Sequence, residues 1–357
     1  MEVMRRKNSV AIIIVCFNGR EFLKDCLSSL NSAAYSYGDF KIIVVDNAST
    51  DGSLEYVRKN FSNIVLIENS YNAGFVGGNN VGIRHALNEG FEYVYLLNQD
   101  TVVRPDFLER AIDTLKKDPQ NGCVQSMLML WPDKDKVNSW GNEIHYLGFA
   151  YSGGYGEEAR CVDEREIAYA SGAACLFSAD ALKSVGVFNE EFFMYHEDVD
   201  LGWRMWLFGF RVLVAPNSVV YHKYEFSRSM KKYYWMERNR MMVVFQNYSL
   251  ATIAIIFPIF LINEVAMLAY SLLSGTWRQA FRARLYFLSF RRILGVIRTR
   301  RRVQKGRKRD DREIVRLFTG IIAFQGGENY AGSFVTKYIF NPIVSAYWHV
   351  AKKIIFW

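Results

Sequence analysis

The stretch Phe192–Phe210, "FFMYHEDVDLGWRMWLFGF", sets three acids, Glu197, Asp198 and Asp200, in four positions inside a run of aromatic residues. A bare carboxylate in apolar surroundings is costly unless paired or hydrogen-bonded. The same surroundings raise its pKa toward the range where it takes up protons near neutrality. An acid here suits general-base work. A structural reading stands beside this one. Acids at a helix start answer the orphan N–H groups and the dipole, and Asp200 and Arg204 have the i,i+4 spacing of an ion pair.

A second set of polar residues closes apolar runs. Asp46 ends "KIIVVD", Asp100 ends "LLNQD" and His222 ends "SVVYH". Asp46 could accept hydrogen bonds from a base or ribose, or serve the turn-rich "DNASTDGS". Asp51 reads as a helix cap. Asp100 could hold Mg2+ or Mn2+ against a diphosphate, because these ions take oxygen ligands, use few carboxylates and complete their shell from substrate phosphates. His222 could add a nitrogen that Mn2+ tolerates, or be structural. Cation, diphosphate and a separate carboxylate are the parts for displacement at a sugar carbon. The cation neutralises the departing nucleoside diphosphate, and the carboxylate takes the proton of the attacking hydroxyl. Glycines 74, 77 and 78 answer either backbone need or close approach of a nucleotide. Trp203 and Trp206 fit core packing at least as well as sugar stacking.

The elements that must position these groups alternate regularly. "SVAIIIVCFN", "KIIVVDNAST", "NIVLIENS" and "EYVYLLNQDT" read as buried strands. "GREFLKDCLSSLNSA", "DGSLEYVRKNF", "GGNNVGIRHALNEG" and "RPDFLERAIDTLKKDP" read as the intervening helices. The alternation predicts a doubly wound, mostly parallel α/β sheet, with the polar strand ends at the edge where such sheets bind ligands. From Gly122 to Asp163 the periodicity weakens and irregular structure over the site is expected. "IAYASGAACLFSADALKSVGVF" reads as strand, turn and helix, and "RVLVAPNSVVYHK" as a strand pair.

Of 357 residues, 50% are hydrophobic and 22% charged, with a formal net charge of +8. A dinucleotide fingerprint is absent, since "CFNGREF" follows the first strand, and no P-loop occurs. Five scattered cysteines without a CxxC pair point to free, buried thiols in a reducing compartment. The N-terminus lacks a signal-peptide core, so the N-terminal part is expected in the cytoplasm.

Taken in order, "VCFNGREFLKDCLSSL", "VVDNASTDGS", "NAGFVGGNNVGI", "LLNQDT", "SGAACLF" and "FFMYHEDVDLGWRMWLFGF" resemble the family 2 glycosyltransferases of the GT-A fold, in particular the rhamnosyltransferase-like branch. The resemblance covers roughly Val10 to Lys223. It implies a GT-A domain over 1–240 and inverting transfer from a nucleotide sugar, with rhamnose on dTDP the branch-level donor and UDP sugars the alternative. It implies donor recognition at Phe17, Asn18, Asp46, Asn72, Gly74, Asn79, Asn98 and Gln99. It implies a Mg2+ or Mn2+ contact at Asp100 and His222, and it makes Asp198 the base with Glu197 the competitor. One position departs from the pattern. The family's D-x-D reads Asn98-Gln99-Asp100 here, an amide for one carboxylate, which weakens the expected hold on a cation. That amide is the feature favouring the alternative function, a catalytically silent, membrane-anchored nucleotide-sugar or carbohydrate-binding protein.

Residues 241–357 read as a helical, membrane-associating region. "YSLATIAIIFPIFLINEVAMLAYSLLSG" is strongly apolar but interrupted by Pro258, Asn263 and Glu264. Lys231, Lys232, Arg238 and Arg240 precede it, and Arg278, Arg282 and Arg284 follow. Basic residues on both flanks fit an interfacial or re-entrant helical pair better than one crossing. "RRILGVIRTRRRVQKGRKR" suits anionic headgroups, and "YIFNPIVSAYWHVAKKIIFW" reads as an interface helix. The competing reading is a soluble helical subdomain. A nucleic-acid partner is not expected, since no fold signature accompanies the basic run. The expected partners are a nucleotide-sugar donor, a polyprenyl-diphosphate-linked saccharide acceptor and the anionic cytoplasmic face of the plasma membrane.

Overall fold

The computed structural model describes residues 5–160, 162–224, 233–323, 334 and 336–357. Cys161, Lys231 and Lys232 lie outside the described residues. Two compact units are present, one of residues 1–142, 152–205 and 210–224, the other of 143–151, 206–209 and 225–357.

The first unit opens with β1 (Arg6–Cys16), α1 (Arg20–Asn31), β2 (Phe40–Asp46), α2 (Ser53–Asn60), β3 (Val65–Glu68), α3 (Gly74–Asn88) and β4 (Phe91–Leu97). Then come β5 (Thr101–Val103), α4 (Phe107–Lys116), β6 (Asn121–Leu130) and β7 (Val137–Ser139), with β8 (Asn142–His145) and β9 (Ala150–Ser152) next along the chain. β10 (Arg165–Glu166), β11 (Ala174–Ser178), α5 (Ala179–Val185), α6 (Glu197–Leu207) and β12 (Arg211–His222) follow. The main sheet runs β10-β12-β6-β11-β4-β1-β2-β3. β1, β2, β3 and β4 pair in parallel. β11 runs antiparallel to both β4 and β6, and β12 parallel to β6. The sheet is therefore mixed, with the expected parallel half.

From Val10 to Cys16 β1 is apolar because both of its faces are covered. Val10, Ile12 and Ile14 join Leu23, Leu27 and Leu30 of α1 in one core. On the other face Ile13 meets α3 so closely that a Cβ on Gly82 would lie 2.5 Å from its Cγ2.

Two expectations needed correction here. Gly122–Leu130 is a buried strand, β6, not irregular structure. Its polar residues hid it: Gln125 and Ser126 are fully buried but satisfied. Tyr95 Oη and Ser126 Oγ lie 2.5 Å apart, Ser126 and Ser218 Oγ 2.6 Å apart, and Ser218 donates to the Phe107 carbonyl at 2.7 Å. This hydroxyl chain ties β4, β6, β12 and α4 together. The second correction is at "RVLVAPNSVVYHK". It forms one strand, β12, whose register against β6 shifts between Ala215 and Val219, where Pro216 cannot donate to the ladder.

The second unit is helical: α7 (Tyr233–Asn247), α8 (Leu250–Leu273), α9 (Trp277–Leu285), α10 (Phe290–Gly306), α11 (Asp311–Ile314) and α12 (Asn341–Ile354), with β13 (Phe318–Thr319) between the last two. β13 pairs with β8 at Ile144 and His145. The apolar segment is one continuous helix, α8, rather than a helical pair. Pro258 lies within it, and a side-chain cap at Ser249, accepting from Thr252 N–H, starts it. By length and composition alone α8 could cross a membrane. Three of the flanking cations are withdrawn from solvent, Arg238 and Arg240 buried and Arg284 partly so. Arg240, fully buried, pairs with Glu237 and Glu264, and Arg284 bonds Glu264 at 2.6 Å and Glu237 at 3.5 Å.

The hydroxyl chain makes a prediction. Ser126→Ala breaks the chain at its middle and lowers unfolding free energy by about 1–3 kcal/mol. The double variant Tyr95→Phe/Ser126→Ala, measured by the same denaturant titration, recovers part of that loss.

Candidate active site

The parallel register brings the carboxyl ends of β1, β2 and β4 to one edge: Cys16 lies beside Asp46, and Ile13 beside Leu96. Side chains lace the loops there. Gln99 Oε1 accepts from Phe17 N–H at 3.2 Å, while its Nε2 donates to the Phe17 carbonyl at 3.5 Å. Asn18 Oδ1 accepts from Thr50 N–H at 2.8 Å, and Ser49 Oγ accepts from Asn18 N–H at 3.0 Å. Asp51 joins two helix starts, accepting from Arg20 N–H at 2.9 Å and Ser53 N–H at 3.0 Å. Asn18 and Ala48 hold φ of 49° and 60°, a region non-glycine residues seldom occupy. The Phe17 ring is exposed at this rim.

Asp46 is buried. Its Oδ2 accepts from Ser49 N–H at 3.0 Å, and its Oδ1 has no hydrogen-bond partner. A buried carboxylate oxygen without a donor is an unmet need that a ligand N–H or O–H can fill.

At the start of α3, Asn72 Oδ1 accepts from Gly74 N–H at 2.9 Å, and Gly74 takes φ 73°. Asn47 donates to the Gly74 carbonyl at 2.9 Å and accepts from Asn69 at 2.8 Å. Asn79 turns its amide back to the Phe75 carbonyl and is buried. Its neighbour Asn80 clasps both backbone groups of Phe188. Val76 N–H reaches the Phe193 carbonyl at 3.1 Å. These contacts tie α3 to the segment that leads into α6.

The cation-binding candidates converge. His222 Nε2 lies 3.4 Å from Asp100 Oδ1 and 3.4 Å from Asn98 Nδ2. Its Nδ1 is 2.9 Å from Asn138 Oδ1. With that amide oxygen as acceptor, Nδ1 carries the ring proton and Nε2 presents a lone pair toward Asp100. Among the described residues no group of three or more His, Cys, Asp or Glu could hold a metal ion. One carboxylate, one imidazole and a nearby amide nonetheless fit Mg2+ or Mn2+ when diphosphate and water complete the shell.

The three acids of α6 divide by environment. Asp200 bonds Arg204 at 2.8 Å, both fully buried, and Arg204 also donates to the carbonyls of Val185 and Val187. This pair pins α6 to the end of α5. Glu197 is buried and its Oε2 has no partner. Burial first, and the neighbouring Asp198 second, push its pKa well above the carboxylate range. Asp198 is part-exposed. Burial raises its pKa to about 6, against the N–H groups of Val199 and Gly172 that favour the ionised form. Behind it, Cys123, Cys175, Phe177 and Leu201 line a void with no room for water. Phe193, Tyr195 and His196, just before the helix, all have φ near +60°, a costly backbone run of the kind found at functional sites.

One turn connects the two chemical sets. Gly172 N–H faces Asp198, and the carbonyl of the following residue, Ala173, accepts from Asn98 N–H at 2.9 Å. Sequence reasoning gave Asn47, Asn80 and Asn138 no role, because an amide has no spacing that distinguishes it from a surface residue.

Residues 11–186 match the family model described as Glycosyl transferase family 2. Poly-beta-1,6-N-acetyl-D-glucosamine synthase of Staphylococcus epidermidis is 27% identical over 217 residues, covering 59% of this chain and 48% of that protein. The chain thus spans about half the length of the curated relatives it matches. Among solved structures, S. aureus TarS 1-349 aligns with TM-score 0.51 at 15% identity, over 97% of this chain and 90% of that one. GalNAc-T7 with UDP, GalNAc and Mn2+ aligns with TM-score 0.52 at 14% identity, over 67% and 48%. These likenesses show a GT-A-like α/β fold.

The unequal acids give a titration to observe. Wild type takes up one proton centred near pH 6 that Asp198→Asn lacks, as a potentiometric difference titration of the two proteins would show. Superimposable curves would remove the assignment.

Proposed function

We propose that the chain is an inverting glycosyltransferase that moves a sugar from a nucleoside-diphosphate donor to a hydroxyl of a saccharide acceptor in cell-surface polysaccharide synthesis. The observation carrying this reading is the division between adjacent acids: Glu197 enclosed with its pKa pushed well above the carboxylate range, Asp198 part-exposed with a pKa of about 6. At neutral pH Asp198 is ionised and still basic enough to work.

In this reading Asp198 takes the proton of the acceptor hydroxyl as that oxygen bonds to the anomeric carbon. The bond from that carbon to the nucleoside diphosphate breaks, and its electron pair leaves with the diphosphate. Attack from the opposite side inverts the centre. Gly172 and Val199 orient the carboxylate through their N–H groups. The unpartnered Oδ1 of Asp46 suits a donor on the base or ribose, and the exposed Phe17 ring offers the base a face. Asn18, Asn72, Gly74, Asn79 and Gln99 hold the surrounding loops in shape. Asp100 and His222 would hold Mg2+ or Mn2+, with Asn98 beside them. Such a cation, when bound, offsets the charge growing on the leaving diphosphate.

dTDP-rhamnose is the proposed donor, on the likeness of "LLNQDT" and "FFMYHEDVDLGWRMWLFGF" to the rhamnosyltransferase-like branch. UDP sugars are the alternative. A polyprenyl-diphosphate-linked saccharide at the cytoplasmic face of the plasma membrane is the proposed acceptor, supported by the apolar and basic surface of the helical unit. Asn98 in place of an acid favours a second reading, a silent binder of nucleotide sugars.

Nucleoside diphosphate release over a donor panel, with and without Mn2+ or Mg2+, separates the two. The transferase reading expects turnover, with kcat/KM rising as pH increases through about 6 and level above, since protonation removes the base. Asp198→Asn should lower kcat by about 10²–10⁴-fold with nucleotide affinity retained. Donor binding without release across the panel would support the silent binder.

A further inference from the structure

α8 has 24 residues and enough hydropathy to cross a bilayer, yet one face is built for protein. Thr252, Asn263 and Ser271 are buried there, and Glu264 joins the ion network of Arg240, Arg284 and Glu237. A crossing would carry these two arginines and two carboxylates into hydrocarbon, where ionised groups are costly. The opposite face is apolar and open, with Leu261 54% and Val265 62% exposed.

The pattern continues along the chain. α9 exposes Phe281 and Leu285, and α10 exposes Phe290 and Leu294, each pair at i,i+4 spacing. Residues 277–309 contain 13 Lys and Arg and no Asp or Glu. Arg278, Arg282, Arg291 and Arg298 are exposed and make no ion pair with an acid among the described residues. Open apolar stripes flanked by unopposed arginines match the chemistry of an anionic interface.

We infer that the exposed stripes of α8, α9 and α10 dock in the plane of an anionic phospholipid bilayer, with no helix crossing it. The inference rests on the membrane-face reading of the acceptor but is tested without donor, cation or acceptor. Full-length protein is floated with phosphatidylcholine vesicles with or without phosphatidylglycerol. Binding to the anionic vesicles, reversed by high salt and weak on the neutral ones, is expected. Arg291→Ala and Arg298→Ala should each weaken it about fivefold. Phe281→Glu/Leu285→Glu should abolish it, with circular dichroism and unfolding midpoint confirming that the variants fold. Absent binding, binding indifferent to lipid charge, or retention through high salt and alkaline carbonate would each overturn the inference, the last in favour of a crossing helix. Self-association or nucleic-acid binding without vesicle binding would overturn it too. Vesicle binding without diphosphate release would sink the transfer reading alone, and release without vesicle binding the docking alone.

Discussion

The joint on which the site depends is the backbone of two consecutive residues, Gly172 and Ala173. The amide of Gly172 faces the Asp198 carboxylate, and the carbonyl of Ala173 takes the Asn98 amide proton. Through them an acid from the start of α6 is fixed relative to the tip of a central strand. The turn offers backbone groups to both, so its own side of the joint does not depend on a side-chain rotamer. The turn itself is held from beneath, because Gln125 Oε1 accepts from Ser171 N–H at 2.8 Å. A polar residue in the middle of a buried strand thereby supports the groups above it.

Electrostatics then separates residues that look alike. Three acids in one helical turn have three environments: an arginine beside Asp200, an enclosed and unpartnered oxygen on Glu197, and peptide N–H groups at a part-exposed Asp198. Ionising Glu197 would add a second charge next to Asp198 in a poorly hydrated place, which pushes the Glu197 pKa up. The imidazole of His222 is likewise set by its far side, where Asn138 fixes which nitrogen faces Asp100. In both cases a neighbour outside the reacting groups decides what they can do.

Much of this was legible in the sequence. β1, β2 and β4 are apolar runs ending in polar residues, and the acids of "HEDVD" fall at a helix start as their spacing suggests. The rest was hidden for specific reasons. β6 carries Gln125 and Ser126 at buried positions, and their partners Ser171 and Ser218 lie 46 and 92 residues away. A local window cannot foresee that such polarity is satisfied. Asn138 sits in a Gly-, Trp- and Tyr-rich stretch without periodicity, so nothing near it announces the histidine it orients. α8 was read as broken at Pro258, Asn263 and Glu264. Pro258, inside the helix, removes one N–H from the ladder without ending it, and Asn263 and Glu264 face protein partners instead of solvent.

The quartet of Glu237, Arg240, Glu264 and Arg284 sums to zero net charge, drawn from three helices. Sliding any one helix by a turn would leave a cation facing a cation or an acid facing nothing. The three segments therefore cannot fray one at a time. They open together or not at all, so their slowest-exchanging amides should share a single opening free energy, and a lineage could alter one member of the quartet only by altering its counterpart.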